Sequence, residues 1–367
     1  MEKIRFGVVG TNFITDWVIA GARQDRRFSL DAVCSRRRDT GEAFASRHGI
    51  PKVFTSLEEM ASSPDIDAVY IATPNSCHAE QSILCMSLGK HVLCEKPLAS
   101  NAEEARRMIR ASERYGVALM EAMKPVLTPN FSVLRRAVEH VGTVRSYFSS
   151  FCQYSSRYDR YKAGELPNAF NPVYSNGALM DIGVYTIYPM VVLFGMPLEV
   201  KASGLLLPSG VDGQGSAVFR YEGMEASVMY SKISDSFLPT EIQGEEGTVI
   251  ADRIGSIGKV TFIRHAASAS GGKGRRQEPE DITAASGMDE YYYEVAEFMD
   301  LIQSGRRESA VNSHHNSLCT MLIMDEIRRQ TGVVFPADGV SPVEGRDGTR
   351  PQSQTGSQAP DCSIRSI

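Results

Sequence analysis

The stretch "HVLCEKPLASN", residues 91–101, runs an apolar strand-like segment into Glu95, Lys96 and Pro97 and then into a helix start. Ligands in open α/β sheets sit beyond the carboxyl ends of strands, and Lys96 stands at such an end. Pro97 lacks a backbone donor and biases the residue before it toward an extended conformation, which fixes the direction of Lys96. A lysine held there can stabilise negative charge developing on a ligand oxygen. The plain alternative is a surface lysine ahead of a helix.

A second candidate is "FGVVGTNFIT", a strand, a glycine turn and a helix start, the place where a dinucleotide pyrophosphate binds. The fingerprint of such turns asks for three small residues in fixed register. Gly10, Thr11, Asn12, Phe13 and Ile14 retain only the first glycine. Asparagine tolerates a left-handed backbone, so Asn12 is expected to complete the turn. The next strand ends in Ser35, Arg36, Arg37 and Arg38, where an NAD site usually carries an acid for the ribose 2′-hydroxyl. Arginine pairs with a 2′-phosphate and a carboxylate repels it, so NADP is preferred to NAD.

The elements that must position these residues are readable. Residues 3–122 alternate short apolar runs with amphipathic segments, which predicts a doubly wound parallel sheet. Ser56 with Glu59, and Ser100 with Glu103, fit the capping box of a helix start. After about residue 125 a helix (128–140) leads to a strand (143–154), a Tyr- and Arg-rich loop and a long apolar helix (176–194). A run of strands with Gly-containing turns follows, which predicts an open, largely antiparallel sheet. Two helices, 288–304 and 312–330, close the ordered chain. The expected organisation is a Rossmann domain over 1–124, a substrate-binding and oligomerisation domain over 125–337, and a disordered tail over 338–367. The segment 265–287 is expected to be an exposed loop.

With "IATPNSCHAE" and "GALMDIGVY" beside them, these features make the sequence similar to the glucose–fructose oxidoreductase/inositol dehydrogenase (Gfo/Idh/MocA) family over roughly residues 3–337. The resemblance implies an N-terminal NAD(P)-binding Rossmann domain and a C-terminal α/β domain that binds substrate. It places Glu95, Lys96 and Pro97 in the E-K-P motif, with Lys96 at both nicotinamide and substrate. It places Thr73, Pro74, Asn75 and His78 near the cofactor ribose and nicotinamide, and Asp181 as the acid of the substrate-domain helix. Many members carry histidine four residues after that acid. Tyr185 stands there instead, as in the branch that holds glucose–fructose oxidoreductase and the dimeric dihydrodiol dehydrogenases. A lysine nearby favours the phenolate of such a tyrosine, which can then take a hydroxyl proton as hydride leaves the carbon. A core aromatic in an apolar helix is the alternative.

The reading that follows is a dehydrogenase acting on a secondary alcohol of a sugar, polyol or cyclic diol. Its rivals are a trans-dihydrodiol dehydrogenase and a cofactor-binding regulator without turnover. An open apolar sheet face predicts a homodimer or homotetramer. A net charge of −5 without a broad basic surface argues against nucleic acid. The uncharged run 182–196 is too short for a bilayer and contains Pro189, so no membrane span is expected. The first residues enter a strand pattern without a leader, and seven unpatterned cysteines read as reduced thiols, so a cytoplasmic setting is expected. His314 and His315 are adjacent, share no helix face and have no acidic or thiol partner at ligand spacing, so no metal is expected. Arg157, Tyr158, Arg160 and Tyr161 line either a sugar pocket or an exposed loop.

Overall fold

The computed structural model describes residues 3–265 and 278–339. The first half builds β1 (Ile4–Val9), α1 (Phe13–Ala22), β2 (Phe28–Cys34), α2 (Arg38–His48), β3 (Lys52–Phe54) and α3 (Leu57–Ser62). It continues with β4 (Ala68–Ile71), α4 (His78–Ser87), β5 (His91–Glu95), α5 (Ala102–Tyr115) and β6 (Leu119–Ala122). The six strands pair in parallel in the order β3-β2-β1-β4-β5-β6. Every residue of β4 and β6 is buried, which is why β4 reads as an unbroken apolar run and β6 as one interrupted by Glu121, rather than as alternating strands. The order reverses between β1 and β4, and the Gly10 turn and Lys96 both leave the sheet at its carboxyl edge beside that switch point.

The second half begins with α6 (Pro129–Val138), β7 (Val144–Cys152), α7 (Tyr158–Lys162) and α8 (Val184–Phe194). Then come β8 (Glu199–Leu206), β9 (Asp212–Arg220), β10 (Glu225–Ser231), β11 (Thr240–Gly244), β12 (Gly247–Ala251), β13 (Val260–Arg264) and β14 (Glu280–Asp281). The chain closes with α9 (Glu290–Ser304) and α10 (His314–Thr331). The eight strands form one sheet, β14-β13-β12-β11-β7-β10-β9-β8, antiparallel except for the β7–β10 pair. Helices α8 and α10 pack on this sheet. On the exposed side stand Leu205, Val218 and Met229, each at least 40% exposed.

Several expectations need correction. Helix α9 packs on the first domain: its Phe298 ring meets Phe6 at 6.1 Å, and its Tyr291, Val295 and Met299 belong to that core. A boundary at 124 with both closing helices in the second domain therefore misplaces one of them. Glu280–Asp281 pairs with β13, so the expected loop 265–287 contains a short strand; residues 266–277 lie outside the described residues. Asp338 accepts from Arg328 and from Phe335 N, so the chain is ordered to Gly339; the rest of the expected tail, 340–367, lies outside the described residues. Ser56 caps α3 as expected. At α5 the cap is Asn101, which accepts from Glu104 N, while Glu104 accepts from Ser100 N; the box expected at Ser100 and Glu103 is displaced by one residue. The apolar helical run extends over Pro172–Phe194, 23 residues, long and apolar enough to cross a bilayer, but 72% of its most apolar window is buried inside the protein as a core helix.

Candidate active site

The site is assembled across the two domains. Lys96 follows β5, and its Nζ donates to the Asp181 carbonyl at 2.7 Å and to Asp181 Oδ1 at 3.0 Å. The Lys96–Pro97 peptide is cis. The same ammonium lies 4.9 Å from the centre of the Tyr185 ring, which also meets Phe151 at 5.5 Å. Lys96, Asp181 and Tyr185 are thus brought together. Burial pulls the Lys96 ammonium down, but Tyr185, Asp181 and Glu95 together hold it above the ordinary lysine value. Burial pushes the Asp181 carboxyl up, and Lys232 and Lys96 outweigh it, so Asp181 stays ionised. For Tyr185 burial is the largest influence and raises the phenol; Lys96 opposes it, while Glu95, Asp181 and Glu294 add to it, so on balance the phenol stands above its ordinary value and the expected drop toward the phenolate is not met in the protein alone.

Local structure explains the placement. Asp181 lies in a five-residue π-helical segment, Leu179–Gly183, that runs directly into α8. Such segments alter the helical register and recur at functional sites. The lead-in is held from both sides. Asn75 Nδ2 donates to the Ser175 carbonyl at 2.8 Å, tying the loop after β4 to the second domain. Ser175 has φ 53°, the left-handed region that non-glycine residues seldom occupy. Asp212 Oδ2 accepts from Leu179 N, and a Cβ on Gly177 (φ 143°) would lie 2.2 Å from Asp212 Oδ1.

The residues expected around the cofactor separate into two groups. Thr73 donates through Oγ1 to Gln81. His78, placed by resemblance near ribose and nicotinamide, is 1% exposed, with Nδ1 at 3.0 Å from the Pro97 carbonyl and Nε2 at 2.9 Å from the Thr73 carbonyl. Burial lowers its pKa and favours the neutral ring, which can donate to only one of the two. Its place is therefore packed between the loops after β4 and β5, with a hydrogen bond to one of their carbonyls. Pro74 and Asn75 lie in the first of those loops. Glu95 is buried too; its Oε1 accepts from the Tyr70 hydroxyl at 2.6 Å and its Oε2 from Lys96 N at 3.2 Å, so it orients the Lys96 backbone.

At the other end of the crevice, Gly10 has φ 104°, and a Cβ there would sit 2.5 Å from the Ala72 carbonyl. Asn12 is not left-handed as expected. It is extended (φ −88°) and is the N-cap of α1, accepting from Ile14 N and Thr15 N and donating to Ala72 O. Thr11, Asn12 and Phe13 offer N–H groups that meet no protein acceptor among the described residues. Phe13 is half exposed, and the Arg157 guanidinium lies 5.8 Å from its ring centre. Arg37 pairs with Asp39 and Arg38 with Glu42. Arg36, beside Ser35, is exposed and has no acidic partner among the described residues. Free N–H groups, an uncommitted arginine and no carboxylate in the Ser35–Arg38 run fit a dinucleotide bearing a 2′-phosphate. Of the Arg- and Tyr-rich loop, Tyr158 and Tyr161 stack on each other and against buried Phe170, while Arg160 is exposed and paired with Glu165.

This sheet, with its phosphate turn and a lysine at the carboxyl end of β5, defines a dinucleotide-dependent enzyme of two domains. Residues 4–123 match the oxidoreductase family with an NAD-binding Rossmann fold, and residues 133–250 match the GFO/IDH/MocA C-terminal domain. The chain is 48% identical over 335 residues to scyllo-inositol 2-dehydrogenase (NADP(+)) IolU of Bacillus subtilis (strain 168), covering 91% of this chain and 99% of that one. It is 32% identical to trans-1,2-dihydrobenzene-1,2-diol dehydrogenase of Danio rerio, over 84% and 90% of the two chains. Among solved structures, levoglucosan dehydrogenase in complex with NADH and levoglucosan superposes with a TM-score of 0.78 at 22% identity, over 90% and 98% of the chains. The protein belongs to the GFO/IDH/MocA oxidoreductases. It is an NAD(P)-dependent enzyme, and the reading as a regulator without turnover falls away.

Sequence reasoning missed Lys232, which follows β10 and bonds Asp181 Oδ2. The signal was a lysine ending an apolar strand, "ASVMYSK", much as Lys96 ends β5. It also missed Glu294 on α9, 1% exposed, whose carboxyl has no hydrogen-bond partner among the described residues and is pushed well up by burial.

Proposed function

We propose that this enzyme is an NADP-preferring dehydrogenase that removes hydride from a secondary hydroxyl of a polyol, sugar or cyclic diol, with inositols the first substrates to assay. The observation that carries the reading is the Lys96–Asp181–Tyr185 cluster at the carboxyl end of β5. Bound oxidised cofactor supplies the hydride acceptor and a positively charged ring. Tyr185 takes the hydroxyl proton as the carbon gives up hydride. The Lys96 ammonium stabilises the oxyanion that forms, and Asp181 fixes that ammonium through two hydrogen bonds. His78 packs between the two loops on which Thr73 and Lys96 ride, and Glu95 accepts from Lys96 N. Ser35 and Arg36 receive the 2′-phosphate, and the turn Gly10–Ile14 receives the pyrophosphate.

The 48% relative named for an NADP-linked inositol activity supports a polyol, and the 32% relative named for a dihydrodiol supports a trans-dihydrodiol as the second reading. NADPH formation with scyllo-inositol, myo-inositol, a hexose panel and a trans-dihydrodiol separates them. Turnover of the dihydrodiol alone overturns the polyol assignment. We assign the open side of the β7–β10 sheet, with Leu205, Val218 and Met229, to a subunit interface of a dimer or tetramer, since an apolar sheet face seeks cover. A cytoplasmic location is in keeping with six free cysteines among the described residues.

A further inference from the structure

The Asp181 carboxylate has two ammonium partners, not one. Lys96 takes Oδ1 at 3.0 Å, and Lys232 takes Oδ2. Lys232 is 4% exposed and rigidly placed: its N–H donates to the Gly213 carbonyl at 2.9 Å and its carbonyl accepts from Ser155 N at 2.9 Å. The Phe170 ring centre lies 5.7 Å from its Nζ. A single Lys–Asp pair would already satisfy the charge of Asp181. Burying a second ammonium has a desolvation cost that a third member of an ion cluster seldom recovers as stability. Two ammoniums and one carboxylate leave the bonded triplet with one positive charge. Glu95 and Tyr185, which both act on the Lys96 ammonium, are the groups that can balance it by ionising, and Tyr185 is the one whose ring lies under that ammonium.

We propose that Lys232 is a positioning residue of the reaction: by sharing Asp181 it frees the charge of Lys96 to act on Tyr185 and on the developing oxyanion. The inference rests on the role of Tyr185 given under Proposed function. Without Lys232, the whole carboxylate charge falls on Lys96, and the pair is neutral toward the phenol. Other charged and titratable groups face this cluster. Glu95 from the end of β5 and Glu294 and Tyr291 from α9 face Tyr185, and Asp212 from β9 faces Lys232. Glu95 is held by Tyr70 and by Lys96 N, and Asp212 by Leu179 N; among the described residues the Lys232 ammonium bonds Asp181 and neither of these. The net influence of Lys232 on Tyr185 is thus carried through Asp181.

The test compares Lys232→Met and Lys232→Gln with the wild type, all loaded with NADP+, with Tyr185→Phe as reference. Tyrosine labelled with carbon-13 at Cζ reports ionisation by its shift, and Tyr185→Phe assigns the resonance. Loss of the Lys232 charge should raise the Tyr185 transition by about one pH unit, the low end of what an opposite charge nearby exerts. With scyllo-inositol as probe, kcat of oxidation at pH 7 should fall about tenfold with that shift. NADPH affinity by fluorescence titration should change less than about twofold, because Lys232 touches no part of the proposed cofactor site. Ethylammonium should restore part of the activity of Lys232→Ala. A Tyr185 transition at the same pH in wild type and variants, or in none of them, overturns the proposal. So does loss of fold in both variants, which would make Lys232 a structural group. Wild-type-like turnover by Tyr185→Phe would instead remove the Tyr185 reading itself, whatever Lys232 does.

Discussion

Replacing Lys96 with methionine keeps the length and apolar stem of the side chain and removes one charge. In the structure that charge lies 4.9 Å from the centre of the Tyr185 ring. Coulomb's law over that distance, with an effective dielectric of about 20, gives roughly 3 kcal/mol of preference for the phenolate. That energy corresponds to about two pH units in the tyrosine transition. The sign depends on direction. In oxidation Tyr185 must be ionised to accept a proton, so the rising limb of kcat against pH should move up by about two units. At a fixed pH below that limb, kcat should then fall roughly 10²-fold, with a further loss because the oxyanion also loses its cation. In reduction Tyr185 must be protonated, so the falling limb at high pH should move up as well. Steady-state profiles in both directions, with NADPH binding measured separately, read these shifts. A Lys96→Met enzyme that loses rate while both limbs stay in place would refute the coupling between Lys96 and Tyr185.

Arg36→Ala should weaken NADPH binding about 10- to 100-fold, the worth of a charge-assisted contact, and leave NADH unchanged; equal losses for both cofactors would contradict the 2′-phosphate assignment. Asn75→Ala leaves the Ser175 carbonyl without its donor at a buried joint between the domains, and urea unfolding should show a loss of about 1–3 kcal/mol. Burial raises the Glu121 carboxyl from 4.5 to about 7. The folded protein then holds a proton that the unfolded chain releases, so this stabilisation is complete below pH 4.5 and lost as pH rises through about 7. Glu121→Gln should flatten that part of the stability curve; an unchanged slope assigns it elsewhere. Val218→Glu on the open sheet face should give a monomer by light scattering, and an unchanged oligomer would move the interface off this face.

The first domain was legible because parallel strands covered on both faces become continuous apolar runs, as in β4. Lys96 was legible because an acid, a base and a proline cannot end a buried strand at no cost. Other features depended on partners distant in sequence. Helix α9 carries an apolar stripe that fits either domain, and contacts far away in sequence, Phe298 with Phe6 and Tyr291 close against Gly21 on α1, decide which. Lys232 lies 51 residues beyond Asp181 and reads as a loop start until the π-helical segment turns the carboxylate toward it. Asn12 was expected to mimic a left-handed glycine, whereas its side chain supplies the helix cap and a bond to Ala72, functions a glycine lacks. The cap of α5 moved by one residue because Ser100 and Asn101 are both capping types, and Asn101 alone also reaches Ala337 and Asp338.

The central claim is that Tyr185 moves the proton in a site organised by Lys96 and Asp181. Single-turnover oxidation by Tyr185→Phe, saturated with NADP+ and the best polyol of the panel, tests it most directly, because phenylalanine keeps the ring against Phe151 and Lys96 and removes only the hydroxyl. The rate should fall by roughly 10²–10⁴ with NADP+ affinity intact; a rate within about threefold of wild type would contradict a role for Tyr185 in the proton transfer.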